Sequence, residues 1–140
     1  MNRFLPSAML VLAFGTLLLA CGKESTSADS LSSSAAVSLA GSASVKRTQC
    51  APLTITLNAT ATELLTISAA VQSGSGTLYQ DAACTNEEVY AVPLAVGSKY
   101  LTMFYQSGGS NTGPVTVSVV VTKPSTAELV GSATFTFRVN

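Results

Sequence analysis

The chain has 140 residues, with seven basic and seven acidic side chains, three cysteines and neither histidine nor tryptophan. A chain of this length makes one domain, or one smaller domain with a tail. Zero formal charge with 10% charged residues excludes the basic footprint that nucleic-acid binding needs. The absence of histidine excludes Ser-His and Cys-His catalysis and nearly every familiar zinc site.

Residues 1–20 carry Arg3 near the start and an apolar run from Ala8 to Leu19. A positive n-region followed by an apolar stretch of this length predicts a signal peptide. The run begins after Pro6 and stops at Cys21, slightly short of the ~20 apolar residues that a spanning helix needs. Residues 22–47 then hold nine Ser and five Ala, without an aromatic or a periodic apolar face. Such a segment buries too little surface to offset its ordering entropy. It is read as a flexible tether over 21–48, in preference to a short helix through Leu31–Ala40, because serine competes with the helix backbone for hydrogen bonds.

From Gln49 the texture becomes apolar residues alternating with Thr and Ser, broken by Gly, Pro and Asn. Strands are predicted at Leu53–Leu57, Leu65–Val71, Leu78–Tyr79, Tyr90–Leu94, Tyr100–Gln106, Val115–Val121 and Ala133–Val139. Pro93 marks the fourth of these as an edge strand, since proline cannot donate to a ladder. About seven short strands in 49–140 predict an all-β, Ig-like antiparallel sandwich, with an open barrel as the alternative. Over this stretch three basic residues (Lys99, Lys123, Arg138) meet five acidic ones (Glu63, Asp81, Glu87, Glu88, Glu128), a net charge of −2.

The end of the leader, Leu18-Leu19-Ala20-Cys21 followed by Gly22, resembles the lipobox of bacterial lipoproteins. The resemblance implies cleavage before Cys21, lipidation of Cys21 with palmitate-type acyl chains, and membrane attachment through that lipid. Gly22 implies sorting to the outer membrane, on its surface or periplasmic face. With Cys21 assigned to lipid, Cys50 and Cys84 remain as an even pair in an exported, oxidising compartment and predict a disulfide. Free thiols or a metal pair are the rival readings, but a zinc site lacks further ligands in this chain.

A second resemblance lies in Leu78-Tyr79-Gln80-Asp81-Ala82-Ala83-Cys84-Thr85, then Val92 to Gly97, then Met103-Phe104-Tyr105. These segments resemble an Ig-like repeat of exported bacterial proteins that reads F-Y-S-D-x-x-C-T, followed by a strand ending in a Gly turn and an aromatic strand. The resemblance covers about Cys50 to Val139 and a single copy. It implies that Met103 and Tyr105 face the core and Phe104 faces outward, and it brings no catalytic residues.

Three carboxylates near the Cys84 loop, Asp81, Glu87 and Glu88, have the chemistry to ligate Ca²⁺, although loop solvation explains them equally well. No metal, cofactor or catalytic residue is assigned, and the chain is not expected to be an enzyme. Of Tyr90, Tyr100, Phe104 and Tyr105, most are expected to fill the core. Tyr100 and Phe104 are the candidates for an outward contact patch. Residues 107–113 read as a hairpin connection. The expected function is a lipid-anchored envelope lipoprotein presenting a non-catalytic binding or adhesion domain for a protein or glycan. The alternatives are a structural envelope component and a small periplasmic inhibitor of a lytic enzyme.

Overall fold

Alternating burial decides the elements, because a strand sends successive side chains to opposite faces. The computed structural model describes residues 36–86 and 90–140. Its regular elements are nine strands: β1 (Val37–Gly41), β2 (Ser44–Val45), β3 (Cys50–Leu57), β4 (Leu65–Ser73), β5 (Gly76–Tyr79), β6 (Ala91–Leu94), β7 (Tyr100–Ser107), β8 (Gly113–Lys123) and β9 (Glu128–Val139). In β8, Val115, Val117, Val119 and Val121 are buried, while Thr116, Ser118 and Val120 point outward.

The strands form two sheets, β1-β3-β7-β5 and β2-β9-β8-β4-β6. Their inner faces share one core, in which Leu39, Leu53, Ile55, Met103 and Tyr105 of the first sheet meet the valines of β8 and Phe135 and Phe137 of β9. Burying each of the larger side chains contributes about 1.5–3 kcal/mol. Tyr105 meets Phe137 edge-on at a centroid distance of 4.8 Å, and Phe135 stacks on Phe137 at 5.8 Å. The order β1-β3-β7-β5 corresponds to the A-B-E-D sheet of immunoglobulin domains, and β9-β8-β4 to G-F-C. The Ig-like sandwich expected from the alternation is therefore the fold. One departure is that β5, in the D position, precedes β6, which lies beside β4.

Two expectations are corrected. The tether was placed over 21–48, but β1 and β2 lie inside that span and belong to the sandwich. Val37, Leu39 and Val45 are fully buried, and Ser38 and Ala40 occupy the outer side of β1. Three apolar residues among serines are too few to announce a strand alone; the ladder from Val37↔Leu57 to Gly41↔Leu53 supplies the rest. These two strands also raise the number from about seven to nine. The second correction concerns strand direction: β2 runs parallel to β9, so the sandwich is not wholly antiparallel. The chain switches sheets between β1 and β2 and so seals both on one side. The expected signal peptide and the expected lipidation site Cys21 lie outside the described residues.

Proline obeys its constraint twice. β6, with Pro93, is the edge of its sheet. Pro52 lies in an inner strand, but β1 stops at Gly41 opposite Leu53, so at Pro52 only β7 is alongside. A missing N–H is tolerated at both places.

The chain enters at Ala36, whose carbonyl accepts from the Asn58 N–H at 3.0 Å. At the same end lie the β3–β4, β6–β7 and β8–β9 loops, here called the entry end. The opposite end, here called the far end, gathers residues 46–49, the β4–β5 turn, residues 108–112 and Asn140.

Candidate functional site

The outer face of the four-stranded sheet is built from residues at alternate positions of β1, β3, β5 and β7. None of these four strands contains a charged residue. Register aligns Tyr79 with Phe104 and Phe104 with Pro52, so a tyrosine, a phenylalanine and a proline form one row across three strands. Neighbouring rows are Thr77–Gln106–Cys50 and Thr102–Thr54–Ala40. Directly opposed residues in a sheet have Cβ atoms about 4.5–5.5 Å apart, which makes the Tyr79–Phe104–Pro52 row a contiguous surface.

Tyr100 shares this face at the start of β7, opposite Thr56 and exposed, while Phe104 is half-buried. Four residues of strand put them about 13 Å apart, with Thr102 between. The expected pair thus shares a face, but the nearest apolar partners of Phe104 are Tyr79 and Pro52. Sequence reading missed those two because only strand register places them beside Phe104. The expectation that most mid-chain aromatics are core is corrected: Tyr105 is fully buried, Phe104 is half-buried, and Tyr90 and Tyr100 are exposed. Met103 and Tyr105 face inward and Phe104 outward, as the resemblance implied.

Beside this row the chain is stapled. Cys50, on the outer side of β3, is bonded to Cys84 of the β5–β6 connection across a sequence separation of 34, with Cα atoms 5.8 Å apart. The predicted disulfide is therefore present. Cys84 takes a left-handed conformation with φ 52°, one that a residue with a Cβ rarely adopts. Asp81 organises the turn that holds it there. Its carboxylate accepts from the N–H groups of Ala83 (3.0 Å), Thr85 (3.3 Å) and Asn86 (2.8 Å), and from the Thr85 hydroxyl (3.2 Å). The Cys84 N–H bonds the Asp81 carbonyl at 3.1 Å.

These donors, led by the Asn86 N–H, hold the Asp81 carboxyl below the usual carboxylate range. The Asp-x-x-Cys-Thr spacing thus has a local physical meaning: the acid caps a turn that presents the cysteine to β3. With both oxygens of Asp81 engaged by donors, the carboxylate works as a turn cap. Glu87 and Glu88 lie outside the described residues. Among those described, no three His, Cys, Asp or Glu side chains come together as metal ligands.

At the far end the Tyr105 hydroxyl, carried on a fully buried ring, donates to the Ser75 carbonyl at 2.7 Å, and the Asn111 amide donates to the same oxygen at 3.0 Å. Burial pushes the Tyr105 phenol up from its ordinary value. Gly76 is required beside it, since a Cβ there would fall 2.4 Å from the ring. These bonds join the β4–β5 turn to residues 107–113, which the sequence had shown only as a run of turn formers.

No family model matches the chain, and no curated protein is similar to it in sequence. Among solved structures it resembles a conjugative transposon lipoprotein from Bacteroides eggerthii DSM 20697. The similarity has a TM-score of 0.52 at 19% identity and covers 72% of this chain and 93% of the other. At that identity the likeness is one of fold.

Proposed function

We propose that the protein is a cell-envelope lipoprotein, anchored through lipid on Cys21 to the outer membrane, that presents a non-catalytic Ig-like domain for binding a protein or glycan. The observation that carries the binding part is the charge-free outer face of the four-stranded sheet, with its Tyr79–Phe104–Pro52 row. Aromatic side chains bring large contact area at low entropic cost and are enriched at interface centres. Charged residues are depleted there. The lipobox-like Cys21 supports the anchor, and the fold is one that a solved lipoprotein also uses. A non-catalytic role agrees with a carboxylate, Asp81, that is committed to capping its own loop.

Photo-cross-linking on intact cells tests this reading. A cross-linking residue at position 104 should give discrete adducts, while one at Ser68, exposed on the opposite sheet, should not. Tyr79→Ala should weaken the adducts at 104. Equal labelling from both faces, or none from 104, would remove the binding role. Shaving intact cells with protease separates surface display from a periplasmic position.

A further inference from the structure

We propose that the entry end of the sandwich rests against the bilayer that holds the anchor, with Leu64 and Val96 in the interfacial layer. This rests on the reading of Cys21 as the lipidated residue. The first observation is how exposed apolar side chains are distributed. Of the exposed large hydrophobics among the described residues, Leu64 (50%), Val96 (63%), Tyr100 (66%) and Leu129 (61%) lie at the entry end, while Tyr90 (70%), bonded to Ala69, and Val120 (36%), opposite Ser68, lie midway along the five-stranded sheet. Leu64 precedes β4, Val96 lies in the β6–β7 loop, Tyr100 opens β7 and Leu129 is the second residue of β9. The far end presents Ser, Thr, Gly, Asn, Lys and Arg, and none of the exposed large hydrophobics among the described residues lies there.

The loops bearing Leu64 and Val96 are held together rather than merely near. The Gly97 N–H donates to the Ala61 carbonyl at 2.9 Å, and the Ala61 N–H donates to the Ser98 carbonyl at 2.8 Å. The described charges at this end balance, Lys99 and Lys123 against Glu63 and Glu128, and Lys123 bridges both acids at 3.1 Å each. An end whose acids are already paired meets a lipid surface with less repulsion. Tyrosine is favoured at the depth of lipid headgroups, where one end of the ring is apolar and the other wet.

The second observation is where the chain enters. Fourteen residues separate Cys21 from Ala36, and Ala36 is bonded to the β3–β4 loop at this end. Fully extended, they reach at most about 50 Å. The sandwich itself is about 40 Å tall, from the length of its longest strand. Turning the far end to the membrane would use nearly all of that reach simply to run back along the domain. Turning the entry end to it uses almost none. The occupant of this apolar end is therefore the lipid surface.

The protein has no tryptophan, so a single introduced one is a clean reporter. Val96→Trp and Gly109→Trp proteins, purified from membranes, are placed in phosphatidylethanolamine/phosphatidylglycerol vesicles with plain or brominated acyl chains. Position 96 is exposed, and a Cβ at position 109 meets nothing within 4 Å; Leu64→Trp serves as a second entry-end reporter should Val96→Trp not fold. The mass of the mature chain reports acylation. Acyl chains present, with blue-shifted emission quenched by bromolipid at 96 but not at 109, is the result expected. Acylated protein with no quenching at 96 overturns the proposal and leaves the anchor standing. Blue-shifted but unquenched emission at 96 overturns it in favour of a protein partner or a second copy. Quenching at both positions overturns it in favour of a domain lying on its side. A mature chain without acyl groups overturns the reading of Cys21, and the proposal with it.

Discussion

At the far end, three loops are held by side chains that leave little freedom. Tyr105 and Asn111 share the Ser75 carbonyl, Gln106 donates to the Thr48 carbonyl, and Thr48 reaches the Ser107 hydroxyl. The disulfide pins the β5–β6 connection to the start of β3 on the same half of the molecule. At the entry end, loops 58–64 and 95–99 are joined by backbone hydrogen bonds, their one ion-pair group lies at the surface, and apolar side chains face solvent. Stability and exposed apolar surface are thus concentrated at opposite ends of the sandwich. The far end secures the domain with side-chain hydrogen bonds and a covalent link, and the entry end leaves free the surface where the chain enters.

The largest effect should come from the staple. Replacing both cysteines of the pair by serine should cost about 3–4 kcal/mol in a denaturant melt, since the bond restricts a loop of about 35 residues in the unfolded chain. A smaller loss would mean that the Asp81 turn holds the far half unaided. Leu39→Ala should cost about 2–4 kcal/mol, although it lies within the segment read as tether. A change below 1 kcal/mol there would return β1 to the linker. Tyr105→Phe should cost about 1 kcal/mol, the net worth of one buried hydrogen bond, read by the same melt.

A subtler effect concerns acid. Asp81 is held below the usual carboxylate range in the folded state, so its contribution is present above the pKa of the unfolded chain. It is lost as pH falls through the folded value, below about pH 4. Asp81→Asn should be less stable at neutral pH and show a flatter acid limb when melts are compared between about pH 6 and pH 2. The smallest effect on stability belongs to the entry end. Val96→Asp should change it by less than about 0.5 kcal/mol, as exposed substitutions do, while weakening contact with lipid. A large destabilisation there would erase the contrast between the two ends.

Most strands could be read from the chain because their signal is local. The Val115-Val117-Val119-Val121 alternation and the aromatic run of β7 need no partner to be recognised. Tyr90 failed the same reading: it continues the alternation of Val92 and Leu94, yet precedes the strand and is exposed. Periodicity cannot say where a strand stops. The candidate surface was half legible for a similar reason. Outward-facing Phe104 is what the repeat resemblance implies, but its neighbours Tyr79 and Pro52 come from strands 25 and 52 residues away in sequence.

Alternation and turn residues were enough for an all-β sandwich, because they rest on local geometry, and the lipobox resemblance, by taking Cys21, left one even pair of cysteines for the disulfide. The same chain does not reveal that Val37–Val45 belongs to the domain, or that Asp81 caps the turn bearing Cys84. Nor does it show that four exposed apolar residues, spread from position 64 to 129, gather at the end where the chain enters. Those are consequences of strand pairing across tens of residues, decided by which apolar faces must meet to leave water.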